Sequence, residues 1–102
     1  MDIVNAVAQI LTHMGFGPER LASYAIAGHG FMGDEGFYGV TYPSDLDDWQ
    51  REREGAFIPE DFVEVTYERE EFLVPRAEYL RVLALHLRGL GLHGLADSVP
   101  AQ

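Results

Sequence analysis

The sequence contains no cysteine and no lysine, and each absence excludes a class of function. Without cysteine the chain has no disulfide, no thiolate nucleophile and no cysteine-ligated zinc site. Seven arginines face 17 acidic residues, which gives a formal net charge of −10. Such a balance argues against a nucleic-acid partner, because phosphate contacts need clustered basic side chains. It also argues against binding to anionic membrane surfaces.

Long hydrophobic runs are missing as well. No stretch approaches the roughly 20 apolar residues that a membrane-spanning helix needs. The N-terminus begins Met1-Asp2-Ile3, with an acid where a signal peptide carries basic residues. We therefore expect a cytoplasmic protein. The length of 102 residues and the hydrophobic fraction of 47% suit one domain with a core of its own.

The charge that is present is concentrated in the middle of the chain. Residues 34–71 hold thirteen acidic residues and three arginines, so their excess of ten equals the whole net charge. Crowded like charges repel each other and lower stability, and a basic partner would relieve that repulsion. A purely solubilising surface is the alternative interpretation of the same composition.

Apolar periodicity and turn residues predict a small α+β domain. Helices are expected at residues 2–14, 18–28, 44–53 and 75–88, and the strands of an antiparallel β-hairpin at 62–67 and 71–74. The segment 28–39 has five glycines and is expected to be a loop. These elements pack as one domain over residues 1–95, with a frayed C-terminal tail at 96–102.

The strongest candidate for a binding surface is the third predicted helix. Asp45, Asp48 and Glu52 follow steps of three and four, so they are expected to share one face, with Trp49 beside them. An acidic face with an aromatic rim is typical of a surface that meets a basic cleft. A solvated outer face with the Trp49 side chain in the core is the alternative. The candidate set is completed by the following residues: Asp34, Glu35, Phe31 and Tyr38.

Metal and catalytic patterns are weak. The acidic run that begins at Asp45 places Trp49 and Gln50 where a calcium loop needs a ligand and a glycine. No two histidines have the spacing of a helical zinc site. A general base at His29, assisted by Asp34 or Glu35, is the remaining catalytic option. The sequence therefore predicts a protein that is not an enzyme, with no catalytic residue, metal, cofactor or small-molecule substrate.

The C-terminal half resembles a known class of proteins. Phe57-Ile58-Pro59, Val63-Glu64-Val65 and Glu71-Phe72-Leu73-Val74, followed by Tyr79-Leu80-Arg81-Val82-Leu83, are similar to small bacterial immunity proteins of contact-dependent growth inhibition systems. The resemblance covers about residues 55–90. It implies a cytoplasmic, non-catalytic toxin inhibitor whose partner is the C-terminal toxin domain of a delivered effector.

Composition and resemblance together favour one hypothesis. The chain is expected to neutralise a basic toxin domain of nuclease type through the acidic surface of residues 34–71. An acidic adaptor domain that docks another protein, without any toxin, is the alternative.

Overall fold

The computed structural model describes residues 3–13, 17–33, 36–53 and 55–100, and these residues form an α+β domain. The five α-helices within them are α1 Ile3–His13, α2 Pro18–Ala27, α3 Asp48–Glu52, α4 Arg76–Gly89 and α5 His93–Ser98. The four strands are β1 Phe31–Gly33, β2 Tyr38–Thr41, β3 Phe62–Tyr67 and β4 Glu70–Pro75. A 3-10 turn, Pro43–Asp45, follows β2.

The strands form one antiparallel sheet in the order β1-β2-β3-β4. In its central pair Val40 lies opposite Val65, and in the C-terminal hairpin Val63 lies opposite Val74. The hairpin turns at Glu68 and Arg69, which both have positive φ angles of 51° and 70°. Two consecutive left-handed residues match the right-handed twist of the strands that they join.

The main core lies between the sheet and the helices. Alternate residues of β3 point towards α1 and α4, and Val63 and Val65 are fully buried there. Leu83 and Leu87 of α4 and Ile10 of α1 meet them from the helix side. Each strand therefore has one face in the core, and the alternate face points away from the helices.

Three sequence-based expectations differ from the structure. The glycine-rich segment is not a loop throughout, because it contributes β1 and the first two residues of β2 to the sheet. The predicted helix at 44–53 is interrupted at Leu46, which is extended (φ −77°, ψ 127°), so only Asp48–Glu52 are α-helical. The expected frayed tail is wrong for residues 96–100, since Ala96 and Val99 are buried in the core cluster and α5 packs on α4 and α2.

The other elements are confirmed. The first, second and last predicted helices and the β-hairpin agree with α1, α2, α4 and β3–β4 to within about two residues, and the fold class is α+β as expected. None of the helices in the described ranges is long and apolar enough to span a membrane.

Candidate partner-binding groove

The face of the sheet that points away from the helices carries a groove of about 670 Å³. Thr41, Glu64, Thr66 and Glu71 form its floor, at successive positions of β2, β3 and β4 on that face. Met32 of β1 borders one side. A volume of this size falls in the range of sites that enclose a small ligand or an inserted side chain.

Another wall is formed by Leu46, Gln50 and residues 56–58, which lie between β2 and β3 in the chain. Asp47 caps α3 by accepting a hydrogen bond from the Gln50 N–H at 2.8 Å, and the Gln50 side chain accepts one from the Asp47 N–H at 3.0 Å. The Ala56 N–H donates to the Gln50 carbonyl at 2.9 Å and folds the chain back. Ile58 is buried but lies outside the helix-side core cluster, so it fastens this wall to the sheet.

Two carboxyl groups share the floor of the groove. Thr66 lies opposite Glu71 and Glu64 lies opposite Leu73, so Glu64 and Glu71 are diagonal neighbours on one face. Burial first, and then the side-chain hydrogen bond and the negative charge of Glu71, together raise the pKa of Glu64 to about 7. Near neutral pH the two carboxyls therefore share one proton in part of the molecules. A cation that approaches the pair favours the release of that proton.

This shared proton predicts a pH-dependent stability. The pKa of Glu64 is higher in the folded protein than the ordinary value of 4.5, so the native state holds a proton that the unfolded chain releases. The free energy of unfolding should therefore fall as the pH rises from about 4.5 through about 7. Because Glu64 is only partly buried, solvent screening reduces the loss to about 1 kcal/mol.

The substitution Glu64→Gln tests this expectation, since the amide mimics the protonated carboxyl at every pH. We expect the variant to melt about 4–8 °C above the parent at pH 8 and within a degree or two of it at pH 4.5, by thermal unfolding. Glu70→Gln, at an exposed position of the neighbouring strand β4, is the matched control. Equal gains at both pH values, or an equal gain in the control, would contradict the shared proton.

Exposed apolar side chains lie around the carboxyl pair. Phe57, at the rim, is 78% exposed, and Met32 and Leu73 of the same sheet face are each about half exposed. Arg69 also borders the groove, but its guanidinium lies 4.3 Å from the centre of the Phe37 ring. It forms no recorded ion pair with the carboxylates within the described residues. The groove thus combines apolar side chains with an acidic floor, and α3 is the helix of the described residues that borders it, through Gln50.

Asp45 is not part of an exposed acidic stripe, which corrects the sequence-based prediction. Its Oδ2 accepts hydrogen bonds from the Gly30 N–H at 2.8 Å and the Tyr42 N–H at 2.7 Å. Its Oδ1 accepts from His29 Nδ1 at 2.8 Å, since a carboxylate can only accept. We call Asp45 and these three donors the Asp45 latch. It ties the segment before β1 to the turn after β2.

The Asp45 latch also changes the role of His29. The catalytic option paired this histidine with Asp34 or Glu35, which lie outside the described residues, whereas the structure pairs it with Asp45. Within the described residues, no group of three or more His, Asp or Glu side chains is placed to hold a metal ion.

The rest of the predicted stripe is partly retained. Asp48 and Glu52 are exposed and share one side of α3, and Trp49 is 60% exposed rather than in the core. Gln50, which lines the groove, lies two residues from each acid and so on the other side of the helix. Asp48 and Glu52 can therefore affect a ligand in the groove only through long-range electrostatic interactions.

The other two predicted aromatic contacts, Phe31 and Tyr38, lie in different environments. Phe31 is only 8% exposed and stacks on Tyr24 in the core, so it is wrong as a surface contact. Tyr38 is half-buried on the helix-side face, where its ring meets Tyr67 edge to face. Neither ring borders the groove.

Sequence reasoning missed the central residues of the groove. The alternation of β3 places Glu64 and Thr66 together on the face opposite to Val63 and Val65, and that signal was present. The partner carboxyl of Glu71 could not be paired with Glu64 without the register of the hairpin. A shift of one residue would have moved it to the other face.

No family model matches the chain, and no curated protein or solved structure matches it at a significant level. The resemblance to immunity proteins therefore stays a prediction from the sequence.

Proposed function

We propose that this protein is an immunity protein that binds and neutralises a basic toxin domain through the sheet face that carries the groove. The observation that supports this proposal most directly is the Glu64–Glu71 pair, which lies on a face left uncovered by the helices and bordered by exposed apolar side chains. A carboxyl pair in such a place gains stability when a cation approaches it.

The proposed partner is chosen by charge complementarity. A nuclease must keep its cleft positive in order to hold phosphate. A chain with a net charge of −10 is attracted to such a cleft from a distance, and attraction of this kind raises association rates by orders of magnitude at low salt. Rapid capture suits an inhibitor whose target turns over many substrate molecules. In this proposal the complex forms in the cytoplasm and involves no catalysis by the inhibitor.

Two groups of carboxylates would have different roles in the complex. Asp48 and Glu52 are exposed on α3 and lie outside the groove, so they would speed the encounter without forming the final contact. Glu64, which is half-buried, and Glu71, which is exposed, line the groove, and the partial burial of Glu64 reduces the screening of a paired cation by water. We expect these two to control the dissociation rate.

The protein encoded immediately upstream is the first partner to test. Co-expression with the present chain should restore the growth of cells that make the upstream protein alone, and the two should co-purify. If the upstream protein is toxic and the present chain neither rescues growth nor co-purifies, the proposal is wrong.

The exposed acids of α3 provide a kinetic test. The double variant Asp48→Asn, Glu52→Gln should lower the association rate about three- to tenfold at low salt and leave the dissociation rate within twofold. The difference should vanish above roughly 0.5 M salt, because exposed charges are screened. Surface plasmon resonance at several salt concentrations measures both rates. A change confined to the dissociation rate would place α3 inside the interface.

The acidic adaptor domain is the second candidate function. It uses the same face, and the exposed Phe57 and Trp49 side chains would suit an apolar partner as well. The salt dependence separates the two candidates, since docking driven by apolar contacts changes little with ionic strength.

A further inference from the structure

Thr66 sets the groove apart from an ordinary acidic patch. The residue is only 5% exposed, yet it lines the groove between the two carboxyl-bearing positions. Its hydroxyl makes no hydrogen bond within the described part of the chain. The fully buried side-chain atoms that lack a partner within the described residues do not include this hydroxyl, so it opens onto the groove, where it can donate to or accept from an arriving group.

The three polar groups are grouped on one patch of the sheet. Thr66 and Glu71 are a directly opposed pair, and Glu64 lies two positions from Thr66 on the same strand and the same face. Together they offer acceptor oxygens from two carboxyls and one hydroxyl. The apolar Met32 and the segment 56–58 enclose them.

We propose that the groove receives one arginine side chain of the basic partner, whose guanidinium lies between Glu64 and Glu71 and donates to the Thr66 hydroxyl. This inference rests on the proposed function, because it names the partner group that the sheet face binds. The stem of the arginine would lie along Met32 and Phe57, which present apolar surface beside the carboxyls.

Guanidinium fits these observations better than other cations. It is planar, carries five N–H donors and is more weakly hydrated than an ammonium, so it can satisfy three acceptors at once in a partly apolar site. Calcium needs six to eight oxygen ligands and magnesium an octahedron. The described residues of the groove provide two carboxyls and few other oxygens, and no recorded cluster brings a third acid to them.

The test uses N-acetyl-arginine amide as a probe and N-acetyl-citrulline amide as its neutral counterpart of nearly the same shape. We expect the arginine probe to bind the full chain with a Kd in the range of about 1–10 mM and to shift the amide resonances of Thr66, Glu64 and Glu71. The citrulline probe should cause no such shifts. Bound arginine should also lower the pKa of Glu64 by at least about one unit, measured from its carboxyl resonance.

Variants identify the groups responsible. Thr66→Val keeps the shape and removes the hydroxyl, and it should weaken arginine binding about three- to tenfold; Glu64→Gln should weaken it at least about tenfold. Glu70→Gln, on the same strand as Glu71 but outside the groove, should leave it within twofold. Equal responses to arginine and citrulline, a stronger response to N-acetyl-lysine amide, or the same shifts with Ca²⁺ or Mg²⁺ would overturn the inference.

Measurements with the protein partner itself distinguish this inference from the proposed function. If the toxin is bound and neutralised but Glu64→Gln and Thr66→Val leave its dissociation rate unchanged, the arginine pocket and the expected role of Glu64 in dissociation are wrong, and only the neutralisation of a basic toxin stands. If arginine binds as described but no basic toxin is neutralised, the pocket stands and the proposed function is wrong.

Discussion

Replacing Asp45 by alanine should destabilise the protein by about 3 kcal/mol, more than the same change at any other acid among the described residues. The variant loses the three hydrogen bonds of the Asp45 latch and leaves the N–H groups of Gly30 and Tyr42, both buried residues, without an acceptor. Hydrogen bonds to a charged group are stronger than neutral ones, and unsatisfied buried donors add their desolvation cost. The melting temperature should fall by more than about 10 °C.

Two control variants show whether the lost hydrogen bonds cause this loss of stability. Glu52→Ala removes an equal charge from an exposed site on α3 and should change the free energy of unfolding by less than about 0.5 kcal/mol. Asp45→Asn keeps the shape and one acceptor oxygen, so its cost should fall between the two. If Asp45→Ala and Glu52→Ala destabilise the protein equally in urea titrations, the latch contributes little and Asp45 returns to the list of surface acids.

Gly30→Ala should be as damaging, because this position has no room for a side chain. A Cβ at residue 30 would overlap the carbonyl oxygen of Val40 in β2 and would lie 2.6 Å from Asp45 Oδ2. The Val40 carbonyl oxygen is a backbone atom, which cannot move away as the end of a flexible side chain can. We expect a loss of about 2–4 kcal/mol, measured by chemical denaturation.

Gly89 provides the matched control. A Cβ there meets nothing within 4 Å, and the residue is the last of α4, so Gly89→Ala should be neutral or stabilise the protein by up to about 1 kcal/mol. Because Gly30 and Asp45 belong to one latch, the double variant Gly30→Ala, Asp45→Ala should cost clearly less than the two single changes added together. Additive losses would show that the two residues act independently.

The parts of the fold that were predicted from sequence are those with a strong local signal. The apolar spacing in α1 and α4 and the alternation in β3 depend on neighbours within a few residues, and the structure agrees with them. The strands β1 and β2 lack such a signal, because glycine weakens an isolated strand. They form because β3 offers a hydrogen-bonding edge to β2, which in turn pairs with β1. That edge exists only after the chain has folded.

The acidic segment illustrates the same limit. Helical spacing placed Asp45 with Asp48 and Glu52, but a hydrogen bond to the backbone of a residue 15 positions away, Gly30, favours the turn that ends at Asp45. The helix prediction at 44–53 was locally sound, since Asp47 does cap a helix. A tertiary contact divided it into two shorter elements and removed one carboxylate from the surface.

The sequence by itself determined the charge of this protein, its lack of cysteine chemistry and its α+β class, because these depend on composition and on local periodicity. Tertiary structure alone decided which acids are free to bind a cation. It brought Glu64 and Glu71 together in one groove and used Asp45 to hold β1 and β2 in place. The reason is physical: the work that a carboxylate does depends on the donors and the solvent around it, and both are set by residues distant in the chain.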